Sequence, residues 1–244
     1  MGKEAFTRQG EYSANLLRKV LFGKDEAVFE KADVPARPPI LCPGCPHRSV
    51  FSVLKKLGIH AAGDIGCYTL GAVAPLGVID TTICMGASIG NAAGMKKAGY
   101  KGRVAAVLGD STFFHSGMTG ILSALYNNTP VTTIVLDNRI TGMTGHQENP
   151  GSGKTLAGDA APVSEIAEIA KSMGYKKVVT VPAEDLAELE RVLIDAMDGA
   201  EAALVIAYAP CLIASKLTKE GLCEVDESKC KACGMCFKMG CPAM

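Results

Sequence analysis

The chain has 244 residues, 25 Lys plus Arg against 25 Asp plus Glu, and ten cysteines. Balanced charge gives no global field of the kind that draws nucleic acid or an anionic membrane. No run of about 18 apolar residues is present to cross a bilayer, and the length suffices for one large domain or a medium domain with an appendage.

The N-terminus, MGKEAFTRQGEY, is charged and lacks an apolar core region, so no secretion signal is read there and a soluble, cytoplasmic protein is expected. Residues 10 to 22 predict a short helix with Leu16, Leu17, Val20 and Leu21 on one face, and the proline-rich DVPARPPILCPGCP that follows is not helical. Helical periodicity then appears at 46–57, 87–98, 116–127, 163–173 and 183–198. Between these stretches lie the short apolar runs HAAGDIG, TTICM, VAAVLG, VTTIVLD, KKVVTV and ALVIAYA. Runs apolar on both faces predict a parallel sheet covered by helices on both sides, an α/β doubly wound fold. The expected organisation is an N-terminal helix and linker over 1–37, the α/β domain over 38–212 and a short cysteine-rich, ferredoxin-like tail over 213–244.

Ten cysteines without a secretion signal point to metal or redox chemistry rather than a disulfide framework. Cys42 and Cys45 form a C-P-G-C pair, equally half of a zinc site. Isolated Cys67 and Cys211 read, on spacing alone, as buried apolar residues. Cys230, Cys233, Cys236 and Cys241 come close to the bacterial ferredoxin run, with four residues before the last cysteine where three are usual. Structural zinc is the alternative there.

In a doubly wound fold ligands sit beyond the carboxyl ends of the strands, where LGDS falls, at 108–111. The next strand ends at Asn138. Oxygens of Asp110 and Asn138 suit Mg²⁺, which takes few protein ligands and completes its shell with phosphate and water. Backbone N–H groups at the following helix starts suit the phosphates.

GDS followed after twenty-five residues by DN resembles the thiamine diphosphate signature, with Ser111 where a glycine is usual. The ordered set LCPGCPHR, GDIGCYTLG, MGASIGNAAG, LGDSTFFHSG, DNRITGMTGHQENPGSG and VIAYAPC resembles the thiamine-binding domain of the 2-oxoacid:ferredoxin oxidoreductases, most closely the indolepyruvate enzymes, over residues 38 to 244. That resemblance implies Mg²⁺ ligands at Asp110, Asn138 and the carbonyl of Ile140. It implies a cofactor cradle of Gly109, Ser111, Gly142, Met143 and Thr144, approached by Cys67, Tyr68, Thr69 and Leu70. It also implies a 4Fe-4S cluster on Cys42, Cys45, Cys67 and Cys211, and a second on Cys230, Cys233, Cys236 and Cys241, with Cys223 a conceivable substitute ligand. His47 is placed near the reacting centre as a catalytic candidate without an assigned role, a hydrogen-bonded structural histidine being the alternative.

The activity implied is oxidative decarboxylation of an aryl 2-oxoacid to its acyl-CoA, with electrons passing through 4Fe-4S clusters to ferredoxin. The pyrimidine-binding half, with its activating Glu, is expected on another domain or chain, beside a second, beta- or gamma-type subunit. A non-redox thiamine carboligase and a purely electron-transferring iron–sulfur subunit are the competing readings. Two other patterns fall short. GASIG at 86–90 matches a hydrolase nucleophile elbow, but the histidines after it lie in segments already used. NPGSGKT at 149–155 has Glu148 where a P-loop needs Gly, so the stretch 146–162 is expected to be a mobile loop that orders over the site.

Overall fold

The computed structural model describes residues 4–24, 33–215 and 225–242; Cys223 lies outside them. By internal contacts the chain divides into Met1–Pro38 and Pro39–Met244. In the first unit α1 (Ala14–Phe22) starts four residues later than periodicity predicts, because Ser13 accepts from Leu16 N–H at 3.2 Å and caps the helix there. None of its residues is buried.

The second unit is built on six parallel strands, β1 (His60–Gly63), β2 (Ile79–Thr82), β3 (Val104–Gly109), β4 (Thr132–Asp137), β5 (Lys177–Pro182) and β6 (Ala203–Tyr208), in the order β2-β1-β3-β4-β6-β5. Successive residues divide between two cores. Ala105, Val107, Ile134, Leu136 and Val205 face α2 (His47–Leu57) and α7 (Leu186–Met197), whose Phe51, Leu54, Leu189 and Leu193 complete that side. Ala106, Leu108, Val135, Leu204 and Ile206 face the other way, toward α3 (Ala87–Lys97), α5 (Met118–Tyr126) and α6 (Ile166–Ser172). The period of two along each strand thus supplies apolar residues to both faces, the condition for a covered parallel sheet. Two buried hydroxyls on β4 are satisfied, Thr132 on the Ala196 carbonyl at 3.2 Å and Thr133 on Tyr175 Oη at 2.9 Å.

Two further elements differ from the sequence expectation. The run TTICM forms a strand only to Thr82, and the strand begins at Ile79, which pairs with Ala61; Ile83 is 68 % exposed. The helix expected at 116 starts directly after β3, as the turn α4 (Asp110–Thr112), a π-helical segment Phe113–Gly117, and then α5. The π segment lets the fully buried Phe113 enter the core while Asp110 stays at the strand end.

Beyond α8 (Leu212–Ser215), the tail's last turn, Cys236–Met239, is tied back to α2. Arg48 is only 5 % exposed and donates Nη1 to the carbonyls of Met239, at 2.7 Å, and Gly240, at 2.6 Å, and Nη2 to that of Leu41. One guanidinium therefore brings the chain beside Cys42 and the chain beside Cys241 into the same neighbourhood. Hydrogen bonds from a charged donor contribute about 1.5–3 kcal/mol each, so Arg48→Met should free the tail. Trypsin is expected to cut after Lys238 at least about tenfold faster in that variant, from about 1.4 kcal/mol lost. An unchanged cleavage rate would show that other contacts seat the tail.

Candidate functional site

The connections reverse between β1 and β3, and a crevice opens there beyond the strand ends. It encloses about 100 Å³. One wall comes from the segment after β1, with Ile65, Gly66, Cys67 and Tyr68; the floor comes from Gly109 to Thr112; the far wall is Asn138 and Ile140 to Thr144. His47 and Met85 close the rim. A larger cavity of about 460 Å³ lies at the amino ends of β4, β5 and β6. Its two charged residues, Lys176 and Glu201, are paired with each other at 2.6 Å and aim no free chemistry into it.

At the floor, Asp110 is 3 % exposed and its carboxyl is pushed up to about 6, first by burial and then by the charge of Asp137, against the opposing hydrogen bond from Asn149. Asn149 Nδ2 donates to Asp110 Oδ2 at 2.9 Å. Asn138 Oδ1 accepts from Ile140 N–H at 3.3 Å and lies 2.7 Å from the Ile140 carbonyl oxygen and 3.3 Å from Asp110 Oδ1. Three oxygens so placed repel one another unless a cation or an amide N–H stands among them; rotating the Asn138 carboxamide would supply the second. In the rotated orientation the Asn138 N–H donates to both oxygens; with a cation in place of that N–H, one carboxylate, one amide oxygen and one carbonyl form a donor set that suits Mg²⁺.

The cradle residues take distinct positions. Ser111 Oγ accepts from Thr141 Oγ1 at 2.9 Å, bridging the β3 and β4 ends. A Cβ on Gly142 would stand 3.3 Å from Cys67 Sγ, so a glycine there lets the far wall approach the near one. Met143 is half exposed, and Thr144 bonds Gln147. Tyr68 Oη pairs with Thr112 Oγ1 at 3.0 Å, and Tyr68 is buried against Gly109, where a Cβ would meet its ring at 2.8 Å. Thr69 and Leu70 are not among the residues that line the crevice. Thr69 Oγ1 fastens its own turn, donating to Asp64 O at 2.8 Å and accepting from Gly66 N at 3.0 Å, while Leu70 packs against the core.

His47 is buried against Tyr68, ring centroids 6.4 Å apart, and burial lowers its pKa to about 4. It is a neutral wall residue at ordinary pH, with no proton to give as an imidazolium.

Cys42, Cys45, Cys67 and Cys211 come together on the same side. Burial is the main cause that raises Cys45 to about 12, with Cys42 and Cys67 adding to it; burial also raises Cys67, with Cys42 and Cys211 adding. Cys45 Sγ accepts from the His47 backbone N–H, and the Cys211 N–H is tied to the Asn138 carbonyl at 3.1 Å. Among the described residues no three His, Cys, Asp or Glu converge on a point that would hold a single metal ion. A four-iron cubane is wider than one ion, and four thiols arranged around such a volume are the donor set it takes. In the tail, Cys230, Cys233 and Cys236 are exposed and Cys230 Sγ accepts from Ala232 N–H at 3.4 Å. Cys241 is partly buried, next to the Gly240 carbonyl that Arg48 holds.

The loop 146–162 is fastened rather than free. Thr141 bridges Gln147, Lys154 bridges Ala160, and Asn149, 8 % exposed, reaches Asp110. Asn149 is the site residue that sequence reasoning missed. The Asn-Pro turn signal at 149–150 was its only mark. Asp64 was missed as well. Its buried carboxylate accepts from Ser88 N at 2.6 Å and Ser88 Oγ at 2.8 Å, capping α3 from the end of β1.

Residues 64–207 match the family model described as thiamine pyrophosphate enzyme, C-terminal TPP binding domain. Among curated proteins, the chain is 41 % identical over 235 residues to the indolepyruvate oxidoreductase subunit IorA of Pyrococcus abyssi, covering 86 % of this chain and 36 % of that protein. It is 36 % identical over 249 residues to the subunit of the same name from Methanothermobacter thermautotrophicus, covering 96 % and 40 %. The chain therefore spans somewhat over a third of the length of these relatives. Among solved structures, the 2-oxoglutarate:ferredoxin oxidoreductase from Magnetococcus marinus, with 2-oxoglutarate, coenzyme A and succinyl-CoA bound, shares the fold at a TM-score of 0.59 and 22 % identity, over 74 % of this chain and 66 % of that one.

Proposed function

The chain belongs to the thiamine pyrophosphate enzymes, in the family of their C-terminal TPP-binding domain, and we propose that it serves as that domain in an oxidoreductase that converts aryl 2-oxoacids of the indolepyruvate type to acyl-CoA. The observation that carries this reading is the meeting of Asp110 Oδ1, the Asn138 carboxamide and the Ile140 carbonyl oxygen at the floor of the crevice.

Asp110, Asn138 and Ile140 would hold Mg²⁺, and Ser111, Gly142, Met143 and Thr144 would lie along the diphosphate that completes its shell. Thiamine diphosphate, when bound, supplies the electron sink for loss of CO₂ from the 2-oxoacid. Tyr68 and Gly109 shape the crevice wall by their close contact, and neutral His47 keeps the rim uncharged. Cys42, Cys45, Cys67 and Cys211 would hold a 4Fe-4S cluster, which accepts electrons singly. Cys67 belongs to both groups, lining the crevice and facing the other thiols. Coenzyme A is the proposed acyl acceptor and ferredoxin the electron acceptor. The surface for the aminopyrimidine ring, with its activating Glu, would come from a partner domain or chain, and the cytoplasm, where thiols stay reduced, is the proposed compartment.

Calorimetric titration of this chain with thiamine diphosphate, with and without Mg²⁺, tests the reading. Binding is expected to require Mg²⁺ and to be weak, with no acyl-CoA formed from indolepyruvate and coenzyme A by the chain alone. Equal binding in EDTA would overturn the metal assignment.

A further inference from the structure

The residue between Asn138 and Ile140 is Arg139, and its backbone is left-handed, with φ of +60°. Glycine adopts that conformation without a steric penalty, whereas an arginine needs contacts that hold it there. Four are present. The Arg139 N–H donates to Asp137 Oδ1 at 3.2 Å, and Nε forms an ion pair with Asp137 Oδ2 at 3.2 Å, so one buried carboxylate grips both the backbone and the side chain. Nη2 pairs with Glu165 Oε2 at 3.2 Å, and the guanidinium carbon lies 5.3 Å from the Tyr208 ring centroid. Nη1 donates to the Gly151 carbonyl at 3.1 Å.

That last contact leads back to the floor of the crevice. Gly151 N–H donates to Asn149 Oδ1 at 2.8 Å, and Asn149 Nδ2 donates to Asp110 Oδ2 at 2.9 Å. Arg139 thus touches both arms of the site. Its backbone turn sends the Asn138 side chain and the Ile140 carbonyl to one point, and its guanidinium anchors the loop that holds Asp110.

We propose that Arg139 is a positioning residue that sets the three oxygens of the cation site together, by holding a strained turn closed and by tethering the 149–151 segment. The proposal rests on reading those oxygens as Mg²⁺ ligands. It explains why an arginine, rather than a glycine, occupies a left-handed position: a glycine makes the turn but anchors nothing.

The test compares wild type, Arg139→Ala and Arg139→Gly in the full chain by two readouts. Mg²⁺-dependent thiamine diphosphate affinity is expected to fall about tenfold in the alanine variant, the range for losing a partner behind a metal ligand. Glycine should recover only part of that loss, because it removes the left-handed penalty but leaves the 149–151 segment untethered. Amide hydrogen exchange without ligand should accelerate at 138–142 and 149–151 in the alanine variant and leave β3 and β6 unchanged. Wild-type binding that is absent or indifferent to Mg²⁺ would overturn the cofactor reading. Mg²⁺-dependent wild-type binding with equal affinity in the alanine variant, or unaltered exchange at both segments, would overturn the role of Arg139 and leave the cofactor reading standing.

Discussion

Asp110→Asn is expected to weaken Mg²⁺-dependent thiamine diphosphate binding by more than about 100-fold, beyond the usual cost of an outer partner, and at the same time to stabilise the metal-free chain at pH 7. Both effects follow from one buried carboxylate. In the folded chain its pKa stands at about 6, above the ordinary value of 3.8, chiefly because burial penalises the ionised form. Below about pH 4 the carboxyl is neutral in both states and exerts no differential effect. As pH rises from about 4 to 6, the unfolded chain gives up this proton first, so the unfolded state gains and stability falls. Above pH 6 the penalty is complete, at about 3 kcal/mol by the standard conversion. An amide in the same place carries no such penalty and still accepts from Asn149 through its oxygen. Urea unfolding at pH 4.5 and pH 7 checks the sign: the variant's advantage should be small at the lower pH and close to its maximum at the higher. A divalent cation is the natural counter-charge for this group, so Mg²⁺ with thiamine diphosphate should reverse the order of stabilities. A variant less stable than wild type at pH 7 without metal would show that the carboxylate serves the fold and not the cation.

The parts of this site that the sequence discloses are those fixed by strand ends. β3 and β4 are apolar on both faces, so their centres are recognisable, and Asp110 and Asn138 are the first oxygen-bearing side chains after Gly109 and Asp137. The Ile140 carbonyl has no side-chain signature and entered only through resemblance. Asn149 lies 39 positions from Asp110 in a loop without periodicity, and only folded geometry pairs them. Thr69 shows the converse. It sits in the segment that approaches the crevice, but the tight turn at Cys67–Ala72 uses its hydroxyl on its own backbone. Arg48 was equally opaque, since three backbone carbonyls far apart in the chain leave no mark on its neighbours.

The double substitution Cys42→Ala/Cys45→Ala is expected to abolish about four irons per chain after anaerobic reconstitution with iron and sulfide, whereas Cys233→Ala/Cys236→Ala should retain them. The thiolate is the ligand, and burial keeps Cys45 and Cys67 protonated. Iron must therefore displace protons from thiols that resist ionisation, and cluster assembly should release protons and become more favourable as pH rises. The cost of ionising those thiols falls away once iron supplies the positive charge that the pocket lacks, while the His47 N–H already faces Cys45 Sγ. Before reconstitution, exposed Cys42 should alkylate ahead of half-buried Cys67; afterwards both should be protected. Iron content that survives loss of Cys42 and Cys45 would move the cluster to the tail. A wild-type chain that binds thiamine diphosphate but no iron would make these four cysteines packing residues, and the redox half of the proposed activity would fall with them.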